Sequence, residues 1–540
     1  MARDAFSSFN SGGFKQFHLS KEVYNYESSV KKLNTLQTNA AVLELARQQG
    51  KVSHVELASR VDSTIKYLKR TGLTVENVDK LSIIHVSGTK GKGTTCALCE
   101  SILRHHGYRT GFFSSPHLIH ARERIRINGT PLGCAQFSEY FEEVYDKLES
   151  QKTHEDDMPP YFKFMTVLAF NVFIKERVDV AIIEVGIGGE YDCTNFIRKP
   201  AVVGITSLGL DHTAILGNNI SEIAWQKAGI MKPGTTAFTV RPKYAAALQV
   251  MKERARARNC KLYVVPCLKS YLWDSVIDFV RDGDNVQALN SSLALQLANE
   301  WMKLQSPFLE RREEKTIQEP SLAVPTAKAF QVTKKMVEGM KNCSWPGRTQ
   351  ILVRDRVTFF LDGAHTEESI KCCSRWFEKS STTLGNKHED VTKILIFNTT
   401  GQRDANKFLE ILSSHNFDHA IFTTNIKKTE LGTTSDSNNY TVSPDEVLKT
   451  AENNLKLWSN WAPSDATRFT VTPTVTEALA RVSSLSEAGN GDYHVLITGS
   501  LHLVGNTLSI LDPELLESVC HLPTDLKPLQ NIYKGVQASL

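Results

Sequence analysis

The chain carries almost no excess of charge: 63 Lys and Arg stand against 59 Asp and Glu in 540 residues, a formal net charge of +4. Spread so thinly, that balance points to neither nucleic acid nor an acidic membrane surface as main partner, and leaves small anions that need only a local site. Long apolar runs are missing too. The most hydrophobic stretch, Met165 to Ile174, is bounded by Lys163 and Lys175, falls short of a membrane span and reads as a buried helix. The ten cysteines form no disulfide or zinc framework. Cys96 and Cys99 have CxxC spacing, but no second pair completes a tetrahedron. With Cys372 and Cys373 they read as buried thiols in a reducing compartment. No repeat, secretory apolar core or collagen-like or disordered bias is visible.

What is present is a globular composition, 41% hydrophobic and 23% charged, long enough at ~150 residues per domain for two to four domains. Residues 1–25 read as a flexible extension. Ser7, Ser8, Ser11, Gly12 and Gly13 with few acids suit a weak mitochondrial presequence, while Asp4 and the scarcity of Arg and Lys suit a cytoplasmic N-terminus. From Leu81 the pattern is strand, loop, helix. Leu81–Val86, Thr110–Phe113, Val178–Glu184 and Ala201–Thr206 are strand candidates, and Thr94–His106 and Phe162–Glu176 have helical spacing. Such alternation predicts an α/β fold with a mostly parallel sheet covered on both faces. The charged run between Lys303 and Lys328 reads as a solvated loop, and the Pro-Gly of Ser344–Arg348 marks the main boundary. Beyond it Val357–Leu361, Lys393–Phe397, His419–Thr423, Phe469–Thr472 and His494–Thr498 predict a second, smaller Rossmann-like α/β domain, with a polar surface loop from Lys427 to Asp445. The expected domains are 26–343 and 344–540.

The strongest local signal is Ser87–Thr95, a Gly/Lys/Thr loop between a strand and a helix. Glycines let successive N–H groups converge on one anion, the helix N-terminus adds its positive end, and Lys92 supplies a mobile cation. The loop departs from the strict Walker pattern: Val86 stands where the first glycine would be, and Gly93 where Ser or Thr would follow the lysine. Three further segments end expected strands: Phe113–His117, Glu184–Gly189 and Leu208–His212. They bring Ser115, Glu184, Asp211 and His212 to one sheet edge, where a hard cation beside a nucleotide would find oxygen and imidazole donors.

Taken in order, Tyr26–Asn39, Gly88–Thr94, Phe112–Leu118, Arg122–Gly129, Glu184–Gly189, Trp345–Arg348, Leu361–His365 and Gly499–Val504 resemble the Mur ligase superfamily and, within it, the folylpolyglutamate synthase family. The resemblance implies an ATP-binding central domain and a C-terminal ligase domain with the active site between them. It implies that Gly88, Thr89, Lys90, Gly91, Lys92, Gly93 and Thr94 cradle the ATP phosphates, with Lys92 at the γ-phosphate. Asn290 matches an adenine contact, Arg348 and Asp362 match nucleotide contacts, and His365 lies in the same motif. Ser115, Glu184 and His212 match magnesium ligands. Lys227 matches a lysine that is carbamylated in the family and so becomes a further ligand; Lys92, His212 and Lys227 are the expected catalytic set. A monovalent cation, K+, is allowed as an accessory. Glu190 departs from the pattern, since many related ligases have a basic residue there.

The activity so implied is ATP-dependent addition of L-glutamate to the γ-carboxylate of a reduced folate, in one-carbon metabolism. The pterin would lie near His117–Gly129. The expected partners are reduced folate, glutamate and ATP, acting on a monomer in the cytoplasm, with a mitochondrial copy left open. Three rivals stand beside this reading: a dihydrofolate synthase, a P-loop kinase or NTPase, and a non-catalytic binder.

Overall fold

The computed structural model describes residues 25–37, 54–273, 286–305, 314–315, 324–384, 391–401, 403–428, 436, 444–462 and 468–513. The expected N-terminal extension, most of the 303–328 charge run and most of the 427–445 loop lie outside them.

The first sheet has eight strands: β1 (Ile83–Ser87), β2 (Thr110–Phe113), β3 (Ile125–Ile127), β4 (Thr130–Pro131), β5 (Val180–Glu184), β6 (Val202–Ile205), β7 (Thr236–Thr239) and β8 (Lys261–Val264). Their order is β4-β3-β2-β5-β1-β6-β7-β8. From β2 to β8 the pairing is parallel, whereas β3 and β4 add an antiparallel edge. Every residue of β1, β2, β5 and β6 is buried, the continuous apolar reading of strands covered on both faces. One cover is the helix Tyr161–Lys175, whose Phe164, Phe170 and Phe173 are fully buried, each contributing roughly 1.5–3 kcal/mol by removal from water. The other pairs the helix Lys92–His105 with Val286–Gln305 and Lys334–Lys341.

A small sheet follows, of β9 (Leu272–Trp273), β10 (Glu314–Lys315) and β11 (Ala329–Val332). The second large sheet comprises β12 (Gln350–Arg354), β13 (Val357–Leu361), β14 (Thr392–Phe397), β15 (His419–Thr423), β16 (Phe469–Thr472) and β17 (Tyr493–Thr498). It runs β12-β13-β17-β14-β15-β16, parallel except for β12. The chain from Ser344 to Thr349 links the two sheets. Trp345 packs edge-on to Phe112 of the first sheet with ring centroids 5.5 Å apart, while Leu118 and Ile119 of the first half join the core under β13 and β17.

Cys96, Cys99 and Cys373 are buried, and burial pushes their thiols up, so they stay protonated. Cys372 differs from the sequence reading: it is half-buried and lines the cleft between the sheets. Among the described residues no helix is long and apolar enough to cross a membrane.

Candidate active site

In a parallel sheet all strands deliver their following loops to one edge. Because β2, β5, β1 and β6 are neighbours, the loops after Phe113, Glu184, Ser87 and Ile205 meet there. The second sheet brings the ends of β13, β17 and β14 to the opposite wall. Between them lies a cleft of about 1960 Å³, lined by twelve Lys or Arg and only six Asp or Glu. A chain of nearly balanced charge thus concentrates its cations in one cavity.

The phosphate loop is built by fixed backbone contacts. The N–H groups of Thr89 and Lys90 both donate to the Ser207 carbonyl, at 2.9 and 3.2 Å, tying the loop to the end of β6. Gly91 caps the helix Lys92–His105 from the left-handed region (φ +86), and a Cβ there would strike the Asn290 amide. A Cβ on Gly93 would lie 2.9 Å from the Trp345 ring and 3.3 Å from Glu184. That explains the departure from the Walker pattern: the space for a Ser or Thr side chain is taken by the linker tryptophan. Asn290 is buried, and its Oδ1 has no donor among the described residues although it borders the cleft, an arrangement that suits an exocyclic amine of a base.

Beside the loop, Glu184 is 4% exposed; its Oε2 accepts the Ser115 N–H at 3.1 Å and its Oε1 lies 3.8 Å from Lys92 Nζ. Burial raises its pKa, against the pull of Lys92. Lys90 pairs with Asp211 at 3.0 Å. Burial opposes ionisation of Asp211, but Lys90 and His212 bring it down to about 2. His212 sits at φ +51 beside Asp211, with burial and the lysines lowering its pKa. Among the described residues no three His, Cys, Asp or Glu side chains converge as a metal cage. A lone buried carboxylate with a hydroxyl beside a phosphate loop fits magnesium shared with a nucleotide, whose phosphates supply the remaining oxygens.

Lys227 lies behind the Gly88–Thr94 loop. It ends the helix Ile220–Lys227, which Asn219 caps by accepting the Glu222 N–H at 2.9 Å. Its side chain is buried, 3% exposed, is not part of the cleft lining, and donates from Nζ to the Gly88 carbonyl at 2.7 Å. Burial, with Lys92 and Lys90 nearby, holds its pKa down to about 7. Glu190 faces away from the phosphate loop: it pairs with Arg254 and takes Arg258 at 2.7 Å, and its N–H donates to Gln226. The carboxylate therefore fastens the loop after β5 to the helix Ala245–Ala257, and the backbone of the same residue ties it to the helix carrying Lys227.

On the opposite wall, Asp362 accepts the Thr349 N–H at 2.8 Å, fixing the turn that presents Arg348. Arg348 lines the cleft between the Asp362 and Glu184 charges, both of which support its cation against burial. His365 hydrogen-bonds the Gly363 carbonyl through Nδ1 at 2.8 Å; a carbonyl only accepts, so Nδ1 carries the proton. Burial and the Lys90 and Arg403 cations lower its pKa to about 3, which keeps the ring neutral. Sequence reasoning missed Arg124, Tyr161, Arg403 and His502, all of which line the same cleft. Arg124 lies over the Tyr161 ring, 5.1 Å from its centroid. Arg124 ends the short helical turn Ala121–Arg124, Tyr161 and His502 stand in the first turns of the helices Tyr161–Lys175 and Leu501–Leu511, and Arg403 lies in the loop after β14, with no regular spacing to link them.

Two facing sheet edges, with the Gly88–Thr94 loop on one and the Asp362/His365 turn on the other, have the α/β fold of the Mur ligase type. Residues 348–510 match the family model described as dihydrofolate synthetase, C-terminal domain. Mitochondrial folylpolyglutamate synthases of Cricetulus griseus and Homo sapiens are each 40% identical, over 91% of this chain and 92% of the relative. The solved structure of Mycobacterium tuberculosis folylpolyglutamate synthase complexed with ADP and AMPPCP shares the fold, with a TM-score of 0.64 at 20% identity over 90% of this chain and 99% of that one. The chain belongs to the folylpolyglutamate synthase family.

Proposed function

We propose that the protein joins L-glutamate to the γ-carboxylate of a reduced folate, or of a folate already bearing glutamates, with conversion of ATP to ADP and phosphate. The observation that carries this is the phosphate loop facing Arg348 across a cleft where cations outnumber acids two to one. The family relationship supports the choice of substrates.

A carboxylate is a poor electrophile, so the reaction begins with transfer of the γ-phosphoryl group to a folate γ-carboxylate oxygen, and ADP departs. The glutamate amine then adds to the acyl carbon, and the tetrahedral intermediate collapses to the amide as phosphate leaves. In this assignment the N–H groups of Gly88–Thr94 orient the phosphates, and Lys92 offsets charge on the transferring group. Asn290 Oδ1 accepts from the adenine amine, and Arg348 with Asp362 holds the nucleotide from the second domain. His365, neutral at physiological pH, serves as a hydrogen-bonding group. Glu184 and Ser115 would hold magnesium, with His212 and a carbamylated Lys227 for a further ion; when bound, the metal neutralises charge on phosphate oxygens. CO2 adds only to a neutral amine, and the low pKa of Lys227 supplies one. The carbamate nitrogen would keep an N–H for the Gly88 carbonyl. K+ is a further accessory in this proposal.

The far end of the cleft, with Pro160, Tyr161, Phe162 and Arg124, offers flat apolar faces and a cation. That chemistry suits a pterin ring with an anionic tail, and we assign the acceptor there. A monomer acting in cytoplasm and mitochondria completes the proposal; the relatives named mitochondrial support the second compartment. Incubation with MgATP, labelled glutamate and either tetrahydrofolate or dihydropteroate, followed by mass spectrometry, tests it. A ladder of glutamyl units on tetrahydrofolate is expected, and ATP turnover without a new amide would sink it. Product from dihydropteroate alone would instead favour the dihydrofolate synthase reading, which the description of the matching family model also suggests.

A further inference from the structure

Asp436 lies in the stretch that reads as a polar surface loop, yet its side chain is only 8% exposed. It belongs to the C-terminal half, and its partners are all in the first half. Oδ1 accepts the Tyr26 hydroxyl at 2.9 Å and the Ala121 N–H at 3.0 Å, and Oδ2 lies 3.0 Å from His120 Nδ1. Its backbone carbonyl takes a fourth contact, 3.1 Å from His117 Nε2. The tautomer of His117 follows by elimination: Arg124 Nε–H donates to Nδ1 at 2.9 Å, so Nε2 carries the hydrogen and donates to Asp436.

A hydrogen-bonded chain thus runs from the Asp436 backbone carbonyl through His117 to Arg124, which covers Tyr161 in the cleft wall, and the carboxylate, tied to Tyr26, His120 and Ala121, holds that carbonyl in place. A carboxylate held away from water is stable only when its oxygens are satisfied. Here the satisfying groups come from the first described helix, Tyr26–Thr35, and from the 117–121 segment. Without Asp436 the Tyr26 hydroxyl and the Ala121 N–H lose their shared acceptor, and the segment that aims Arg124 keeps its apolar packing through Leu118 and Ile119 but loses the side-chain polar tie to the C-terminal half.

We infer that Asp436 is a positioning residue that sets the His117–Arg124–Tyr161 wall for the acceptor substrate, making pterin-side affinity depend on a C-terminal residue that touches no substrate. The inference rests on the assignment of that end of the cleft to the acceptor. It separates the two ends of the site: ATP is held by Gly88–Thr94, Asn290 and Arg348, none of which Asp436 contacts.

The test compares wild type, Asp436→Ala, Asp436→Asn and Tyr26→Phe by tetrahydrofolate and ATP-analogue Kd from fluorescence titration, by KM for both substrates, and by thermal midpoint. Asp436→Ala is expected to raise the tetrahydrofolate Kd and KM about tenfold, leaving ATP-analogue Kd and kcat within about twofold. Asp436→Asn, which keeps an acceptor for Tyr26 and Ala121 but loses the charge facing His120, and Tyr26→Phe, which removes one bond, are each expected to raise them about threefold. Should Asp436→Ala fail to fold, the two milder variants carry the test. A tetrahydrofolate Kd equal to wild type in the folded variants overturns the inference, as does a parallel rise for both ligands. Absence of glutamyl product from the wild type overturns the functional proposal instead, and the Kd comparison still decides this one.

Discussion

The two walls of the cleft are made in different ways. The wall after β1 is one continuous loop whose seven residues, Gly88–Thr94, carry two lysines, with the low-pKa amine of Lys227 directly behind it. The wall of the second sheet is assembled from scattered residues: Asp362 and His365 after β13, Arg403 after β14, and Ser500 and His502 after β17. Its imidazoles are held neutral, His365 near pKa 3 and His502 near 4, by burial and neighbouring arginines and lysines. We assign the transferring charge to the first wall. The second is a polar frame with the cations of Arg348, Lys371, Arg375 and Arg403, and we assign it to placement.

If that contrast is right, removing the mobile cation of the first wall has the largest effect. Lys92→Ala is expected to lower kcat/KM by about 10³-fold in the glutamate-incorporation assay without moving the thermal midpoint, since the side chain lines the cleft. A fully active variant would break the comparison outright. Arg348→Ala, on the second wall, is expected to cost about 10²-fold, mainly through KM for ATP, because it places rather than stabilises. A larger effect than Lys92→Ala, borne by kcat, would reverse the assignment of roles. Gly93→Ala probes the seam, where the new Cβ must displace the Trp345 ring; steady-state kinetics should show about a 20-fold higher KM for ATP. An unchanged KM would show that the tryptophan yields.

The same contrast governs what the sequence made legible. Strands with continuous apolar runs, such as β5 and β13 to β17, stand within two residues of their expected ends. The antiparallel pieces β3, β4 and β12 escaped notice because they are short: β3 has three residues centred on Arg126, β4 has two, and the apolar run of β12 is only Ile351–Val353 between Gln350 and Arg354; β7 and β8, only four residues each, open on Thr236 and Lys261. The phosphate loop was readable because its residues are consecutive and their spacing is the signal. Arg124 and His502 lay inside the stretches Arg122–Gly129 and Gly499–Val504 with nothing in the sequence to single them out from their neighbours, and Arg403 was not readable, since only the meeting of two sheet edges brings it to the site. Asp436 was misread as a surface residue for the same reason: its partner Tyr26 lies 410 positions away.

The smallest expected effect is the sharpest discriminator, because it asks which wall titrates. Burial and the cations of Lys92 and Lys90 put the Lys227 pKa at about 7, whereas His365 at about 3 is neutral throughout the working range. In bicarbonate-equilibrated buffer, glutamate incorporation should rise about fourfold from pH 6.5 to 8.5 as the amine becomes neutral and available to CO2. Lys227→Met should abolish that limb together with uptake of isotopically labelled bicarbonate, while His365→Asn should leave the limb in place. Stability carries the same sign. In the unfolded chain the amine titrates near 10.4, so between pH 7 and that value the unfolded state binds more protons, and stability rises with pH by at most about 1.4 kcal/mol per unit. The penalty is complete below pH 7, shrinks as the folded amine deprotonates above it and is gone once the unfolded amine also deprotonates, so Lys227→Met should flatten the dependence of the thermal midpoint on pH across that window. A limb that survives in Lys227→Met and vanishes in His365→Asn would move the titrating group to the second wall and undo the division between them.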